Sequence, residues 1–479
     1  MRRAPGGVGV RRALLLTVAL AALISVAAPC PAIELPRTRE VRLPNGTLVI
    51  LAEKHEVPLI AFHALIRGGA LADPAGKEGI AELTGGLLRK GAGSRTAQEI
   101  AALVDGLGAD INTGSGPEGS YVSGEFMSRD QTIMLDLLAD VLRRPKFPAD
   151  EFEKLKAQSI DALTAEKDDP PSVLGEYALA FLYGAHPYGR PVDGDEATLK
   201  GLSHDDVLGY YRANYGGDRL ILSVVGDFSS QAMESKIRAK FADWPAPKSP
   251  VPQAPAVARR AGRRVLLVDK PDATQSYFWI GNVGVARVDP DRVPLDVANT
   301  AYGGRFTSIL NTALRIEGGL TYGASLRAPR FTQPGPIAVV SFTKTESTGK
   351  AVDVALQTFA AVRRAGIDST TLISAKSYMI GQYPPRLETE DQIAGAYADL
   401  AFYGLGRDEL EQYTDRVART GVGDVKRVIQ RVYPPAEDLT FVFIGNAAAI
   451  RAAVKKYGPV TEVKITEPLL SGLRPAAAR

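Results

Sequence analysis

From residue 39 onward, the spacing of apolar residues alternates between the pattern of a β-strand and that of an α-helix. Apolar runs at 41–52, 58–66 and 220–225 predict β-strands, and Asn45-Gly46 predicts a tight turn that makes the first of these runs a hairpin. Apolar residues recur at helical spacing over four further segments, 80–90, 97–107, 130–143 and 150–166. The first half of the chain therefore contains both strands and helices in alternation.

The second half of the chain repeats the pattern of the first. The helix and strand at 206–227 recur about 220 residues later at 424–446, and the segment 155–159 is matched by 373–377. Leu179-Ala180-Phe181 likewise recurs as Leu400-Ala401-Phe402. A repeat of this length predicts two similar domains, which we place at 33–244 and 261–470.

A proline-rich segment at 245–260 separates the two predicted domains. Its composition predicts an extended, semi-rigid linker that holds the domains at a distance, as suits a cleft between them. Two independent domains with no shared site remain an alternative. Residues 471–479 are assigned to a C-terminal tail.

The N-terminus has the features of a secretory signal peptide. Four arginines precede an apolar run at 13–28, and the small-residue site that follows predicts cleavage after Ala32. Export to the periplasm is the expected location, with an uncleaved membrane anchor as the alternative. The only cysteine, Cys30, would leave with this peptide, so the mature chain is expected to hold no disulfide and no thiol nucleophile.

Composition and charge argue against a nucleic-acid-binding protein. The 479 residues carry a net charge of +3 and are 45% hydrophobic, which is ordinary for a globular protein. There is no basic run with interleaved aromatic residues. We therefore expect no nucleic-acid partner.

Residues 79–91 resemble the zinc-binding helix of the insulinase/pitrilysin (inverzincin) peptidases, in which an H-x-x-E-H core follows a glycine, an apolar residue and an alanine. In that frame Glu82 and Gly86 stand at the two histidine positions, and Gly85 stands at the general-base glutamate. The resemblance places the third ligand at Asp161 or Ala162. Because glycine offers no donor atom, we expect no metal in this chain. Glu82 is interpreted as a helix-surface carboxylate, and the glycine pair predicts either a shortened helix or close packing against it.

The four histidines of the chain do not offer a second metal site. None lies three to five residues from another, so no helical ligand pair is available: His55, His63, His186 and His204. His186 is expected to make a structural hydrogen bond, His63 to occupy an alternating strand position, and the other two to be solvated.

Further likeness to the family covers nearly all of the mature chain. It rests on His186-Pro187-Tyr188-Gly189-Arg190-Pro191 in the first domain and on the segment 315–322 in the second. The resemblance implies an α+β fold of two similar domains, each a mainly antiparallel sheet with helices packed on one face, facing each other across a cleft. It also implies that Arg315 and Tyr322 grip the substrate backbone and stabilise the oxyanion, which requires fixed donors in a water-poor cleft.

Two functions remain open. A zinc-less subunit would contribute Arg315 and Tyr322 to a zinc site held by a homologous H-x-x-E-H subunit, in a heterodimer that hydrolyses peptides. A non-catalytic subunit would bind peptide or serve a structural role. Both make the chain inactive alone, with zinc expected only in the partner. An independent hydrolase finds little support, since the sequence has no G-x-S-x-G elbow and no P-loop.

Overall fold

The computed structural model describes residues 34–473. The predicted signal peptide with Cys30, and residues 474–479 of the predicted tail, lie outside the described residues. Leu35 and the described residues that follow it form one compact unit. Among the described residues, no helix combines the length and the hydropathy that crossing a membrane requires.

The first sheet has six strands in the order β1-β2-β6-β3-β5-β4, antiparallel except for the pair β2–β6. Its strands are β1 Thr38–Arg42, β2 Leu48–Glu53, β3 Leu59–Arg67, β4 Asn112–Ser115, β5 Gly119–Met127 and β6 Leu220–Gly226. The predicted hairpin is confirmed: β1 pairs with β2 through a turn in which Gly46 has φ 96°. A residue with a side chain rarely adopts that angle.

The helices of the first half pack mainly on one face of this sheet and enclose one hydrophobic core. They are α1 Ile80–Leu87, α2 Ala97–Leu107, α3 Gln131–Arg143, α4 Ala149–Glu166, α5 Pro170–Tyr183, α6 Glu196–Gly201, α7 His204–Asn214 and α8 Ser230–Phe241. The four predicted helices are all present. Helix α2 begins where predicted because Thr96 and Glu99 form a capping box at its N-terminus.

The second sheet also has six strands, in the order β9-β10-β8-β11-β7-β12. Its strands are β7 Arg264–Asp269, β8 Gln275–Val283, β9 Ala324–Arg327, β10 Pro336–Lys344, β11 Thr440–Gly445 and β12 Val460–Lys464. Its helices are α9 Arg292–Gly303, α10 Thr348–Ala365, α11 Ser369–Gly381, α12 Glu390–Tyr403, α13 Tyr413–Arg419, α14 Val422–Val432, α15 Ala447–Val454 and α16 Leu469–Leu473. The predicted repeat is confirmed, since α7–β6 and α14–β11 are the same unit in the two halves.

Each sheet has its second face covered by a helix from the other half. Helix α5 of the first half packs on β8 and β11, and α12 of the second half packs on β3 and β6. These two helices carry the repeated Leu-Ala-Phe triplet. The guanidinium of Arg264 lies 4.8 Å from the ring centre of Phe181, and that of Arg67 lies 4.6 Å from the ring centre of Phe402. The two halves therefore exchange equivalent helices.

The proline-rich segment does not hold the halves apart, so that part of the linker prediction is wrong. Residues 245–260 form no helix or strand, as expected, but they contact both halves: Arg259 donates to the Val432 carbonyl of the second half at 2.7 Å. The fully buried Arg219 donates from Nη2 to the carbonyls of Ser249 (2.7 Å) and Pro250 (3.0 Å). Direct packing of α5 and α12 sets the distance between the halves. The domain boundaries at 244 and 261 stay a sequence-based division.

One buried carboxylate joins the two halves. Glu118 accepts hydrogen bonds from the Tyr188 hydroxyl (2.5 Å), the Thr332 amide (2.9 Å) and the Tyr403 hydroxyl (3.2 Å). Tyr188 belongs to the first half and the other two donors to the second. A single acceptor thus satisfies donors from both halves.

We expect the two halves to unfold together, because each sheet is incomplete without the helix of the other half. The two tryptophans report on different halves: Trp244 lies in the first core and Trp279 lies on β8, in the cluster that contains α5. Trp244→Phe and Trp279→Phe are each unfolded with guanidinium. In each variant, the fluorescence of the remaining tryptophan and the circular dichroism of the whole chain should give the same unfolding midpoint. Two separate transitions in one variant would contradict the prediction.

Removal of the joining carboxylate should destabilise the whole chain. Glu118→Ala leaves the hydroxyl of the buried Tyr188 and two less buried donors, on Thr332 and Tyr403, without their acceptor, at an expected cost of about 1–3 kcal/mol in the free energy of unfolding. Urea denaturation measures this cost. Glu437→Ala, which removes an exposed carboxylate, serves as the control and should change stability by less than about 0.5 kcal/mol. Equal midpoints for both variants would refute the assigned role of Glu118.

Candidate functional site

Helix α1, which carries the zinc-like frame, is intact despite its glycine pair. It begins after Gly79, whose φ is 95°, and Asp73 accepts hydrogen bonds from the Gly79 amide (2.9 Å) and the Ala81 amide (3.2 Å). This buried carboxylate satisfies donors at the helix N-terminus that have no partner inside the helix. The helix continues through Gly85 and Gly86 to Leu87.

Close packing against the glycine pair is the alternative that the structure confirms. A Cβ on Gly85 would lie 2.7 Å from the carbonyl carbon of Gly114 on β4. A Cβ on Gly86 would lie 3.0 Å from a methyl group of Leu155 on α4. The backbone of an edge strand thus stands where the family's general-base side chain would begin.

Glu82 is not a helix-surface carboxylate, so that interpretation is wrong. It is half-buried and its Oε2 accepts a hydrogen bond from the Ser115 amide (2.5 Å). Burial raises the pKa of Glu82 to about 7, while the hydrogen bond from Ser115 opposes this and the charge of Asp193 adds to it. The side chain at the first histidine position therefore points inward, toward β4.

A cavity of about 180 Å³ lies beside α1, and three carboxylates line it: Glu82, Glu166 and Asp193. Of the two positions proposed for a third ligand, Ala162 lines this cavity, whereas Asp161 is exposed and does not. The donor set does not fit zinc, because neither glycine offers a donor and no imidazole enters the cavity. Within residues 34–473, no group of three His, Cys, Asp or Glu side chains could hold a metal ion.

The histidines occupy structural positions elsewhere. His186 accepts from the Tyr188 amide and contacts the Pro255 carbonyl at 3.0 Å, which confirms its predicted structural hydrogen bond. His63 lies on β3 and contacts Asp391, and His55 is exposed beside Asp227. His204 differs from the prediction, since it is half-buried with Nε2 2.6 Å from the Phe147 carbonyl.

The structure brings Arg315 and Tyr322 together through the backbone. Arg315 lies on a π-helical turn, Thr312–Glu317, and its Nη1 donates to the Tyr322 carbonyl at 2.7 Å. Its guanidinium also stacks over the ring of Phe306, 4.6 Å from the centre. Two contacts therefore fix the arginine, and turns of this kind are frequent at functional sites.

The phenol of Tyr322 faces solvent. Tyr322 is 77% exposed, and its hydroxyl makes no hydrogen bond with any described residue. The Arg315 guanidinium and the Tyr322 phenol thus line the same groove, but in this chain alone the exposed phenol is not in the water-poor setting that oxyanion stabilisation requires. A second molecule would have to exclude the water.

The pair lies on the rim of a groove of about 850 Å³ between the two halves. Tyr277 and Trp279 of β8 and Phe342 of β10 contribute aromatic side chains to it, and Leu174 of α5 lines the opposite wall. This groove shares no lining residue with the cavity beside α1. The chain therefore keeps the pair apart from its own degenerate zinc helix.

Several residues that line the groove were not predicted from the sequence: Arg305, Phe306, Arg327 and the aromatic floor of Tyr277, Trp279 and Phe342. Arg305 and Phe306 directly follow the Gly303-Gly304 pair, which was a visible signal of a tight, exposed turn. The floor residues were hidden, because alternating aromatic positions in a strand are equally typical of a core.

Comparison with known proteins assigns this architecture to a class of two-domain, peptidase-like α+β folds. A peptidase M16 inactive domain from Pseudomonas fluorescens superposes with a TM-score of 0.80 at 23% identity, over 85% of this chain and 98% of that one. A protease from Helicobacter pylori superposes with a TM-score of 0.79 at 20% identity, over 86% of this chain and 100% of that one. The predicted fold class is confirmed.

Family models match most of the described chain. The model described as insulinase (peptidase family M16) covers residues 48–196, and the peptidase M16 inactive domain covers residues 201–379. An uncharacterized zinc protease of Mycobacterium leprae is 25% identical over 71% of this chain and 76% of that protein. A non-peptidase homolog of Helicobacter pylori is 20% identical over 83% of this chain and 91% of that protein. The chain belongs to the insulinase family, peptidase family M16, and lacks the residues with which that family binds zinc.

Burial of Glu82 predicts a pH dependence of stability. Since the folded state raises its pKa from 4.5 to about 7, the folded chain binds more protons than the unfolded chain between these values, and stability falls as pH rises through this window. Burial raises the pKa of Glu166, Glu176 and Asp193 in the same direction.

Between pH 4.5 and about 7, the stability of Glu82→Gln should fall less steeply with rising pH than that of the parent chain. Glutamine keeps an acceptor for the Ser115 amide but cannot ionise. Denaturation midpoints across this pH range measure the slope, with Glu437→Gln as the control for loss of an exposed charge. Identical slopes in all three proteins would show that Glu82 does not titrate in this window.

Proposed function

We propose that this chain is the zinc-less subunit of a heteromeric metallopeptidase. It presents Arg315 and Tyr322 to a peptide held at the zinc site of a homologous H-x-x-E-H subunit. The observation that carries the proposal concerns these two side chains: the arginine is fixed by two contacts, while the Tyr322 phenol is exposed and makes no hydrogen bond to a described residue. Such a donor pair is half of an oxyanion-stabilising arrangement.

The chemistry of the pair supports this division of labour. As a nucleophile attacks a peptide carbonyl, negative charge develops on the carbonyl oxygen, and a guanidinium and a phenol are suitable donors to that oxygen. The π-helical turn and the Phe306 ring hold the Arg315 guanidinium before substrate arrives, so little reorganisation is needed. A partner covering the groove would supply the missing exclusion of water, which strengthens both hydrogen bonds.

A non-catalytic role is the second candidate, and one observation favours it. Exposure of Tyr322 also suits a surface that binds extended peptide without hydrolysis, and the Helicobacter pylori relative bears the name non-peptidase homolog. In either role we propose that the chain acts outside the cytoplasm, because residues 1–32 have the pattern of a signal peptide.

The decisive experiment co-expresses the chain with a homologous H-x-x-E-H subunit and measures hydrolysis of unfolded peptides. Arg315→Ala and Tyr322→Phe should each lower kcat by about 100-fold, the effect of losing one oxyanion donor, while the two subunits still co-purify. Matched controls are Arg364→Ala and Tyr378→Phe, exposed residues outside the groove whose loss should leave kcat unchanged.

The outcomes separate the two roles. Unchanged kcat in Arg315→Ala and Tyr322→Phe would refute the contribution to catalysis. If the same variants weaken peptide binding in the absence of any hydrolysis, the non-catalytic role is the correct one.

A further inference from the structure

The groove that holds Arg315 is strongly cationic at its rim. Three arginines line it, Arg305, Arg315 and Arg327, and no aspartate or glutamate does. Within the described part of the chain, none of the three forms an ion pair, whereas Arg427 and Arg431 on α14 are both paired with aspartates. Three guanidinium groups that line one cavity without an ion-pair partner indicate that their positive charge is available to bind an anionic ligand.

Most of the donor capacity of these arginines is unused. Arg305 donates from Nη1 to the Ser374 hydroxyl at 2.8 Å, but its buried Nε has no hydrogen-bond partner among residues 34–473. Arg315 donates to the Tyr322 carbonyl. Arg327 is exposed at the end of β9 and makes no hydrogen bond to a described residue. Because a guanidinium has five N–H donors, each of the three can still bind a carboxylate.

The floor below this rim is apolar. Trp279 is 5% exposed, and with Phe342 and Leu174 it gives the groove walls that accept large aliphatic or aromatic side chains. The charge of Asp169, after burial, contributes to raising the pKa of Tyr277 on the floor. That carboxylate lies at the start of α5, on the first-half side of the groove, whereas the three arginines belong to the second half.

We propose that the groove selects acidic peptides: segments that place a large apolar side chain on the aromatic floor and neighbouring aspartate or glutamate side chains against Arg305 and Arg327. The assignment rests on the proposed function, in that it takes the occupant to be a peptide. It adds a substrate class to that function and makes Arg305 and Arg327 determinants of specificity. Arg315 is left to the peptide backbone.

The test measures binding of fluorescent peptides to the full chain by anisotropy. The peptides share one apolar centre and differ only at two flanking positions, which are both Glu, both Gln or both Lys. The Glu peptide should bind about tenfold more tightly than its Gln isostere, the contribution of roughly one charge-assisted hydrogen bond, and the Lys peptide should bind most weakly. Raising the salt concentration should reduce the contrast.

Variants locate the effect. Arg305→Gln/Arg327→Gln should bring the Glu and Gln peptides to equal affinity, whereas Arg364→Gln removes a positive charge outside the groove and should keep the contrast. Equal affinity for the Glu and Gln peptides in the parent chain would overturn the proposal. So would an acidic preference that survives in the double variant.

Failure here is distinguishable from failure of the proposed function. Tyr322→Phe carries no charge change, so its effect on kcat in the two-subunit enzyme tests the catalytic role alone. An enzyme sensitive to Tyr322→Phe but indifferent to peptide charge would keep the function and lose the specificity. If the chain prefers acidic peptides but Tyr322→Phe leaves kcat unchanged, the specificity is kept and the catalytic role is lost.

Discussion

Exchange of the helices α5 and α12 is the packing constraint on which the rest of the structure depends. A sheet with one face exposed would leave a large apolar surface in water, at about 25 cal/mol for each Å². Here each half covers its sheet with helices on one face and receives a helix from the other half on the second. The buried contacts of Tyr177, Leu182 and Tyr183 with the second sheet and its flanking segments join both halves in one cluster.

The same exchange creates the candidate site. Helix α5 belongs to the first half, yet it forms the wall of the groove whose floor and rim come from the second half. Glu118 then locks the position of this wall, since Tyr188 follows α5 closely and Thr332 follows β9. The groove is therefore a property of the assembled chain, and neither half could form it alone.

The sequence predicted the elements and their repetition well, because those follow from local periodicity and turn chemistry. It also predicted that Leu179–Phe181 and Leu400–Phe402 are equivalent. It could not reveal that these segments cross to the opposite half, because a helix that is apolar on the face it buries has the same pattern whichever sheet it covers. Glu82 was misjudged for a similar reason: a carboxylate in a helix is usually solvated, and its partner, the Ser115 amide, is distant in sequence.

Two places in the structure bear on its likeness to a peptidase, and the packing explains both: helix α1 and the turn that carries Arg315. At the first, Gly114 of the edge strand lies so close to Gly85 that a Cβ would be within 2.7 Å of its carbonyl carbon, so restoring a glutamate there would require β4 to move. The loss of zinc chemistry is thus built into the packing of α1, beyond the absence of two imidazoles. At the second, Arg315 is held by the Phe306 ring and by the backbone carbonyl of Tyr322. The Arg315 guanidinium and the exposed phenol of Tyr322 both line a groove with an apolar floor, so both are accessible to a ligand. The structure therefore combines a helix whose side chains do not fit zinc with a separate groove that is open to a ligand.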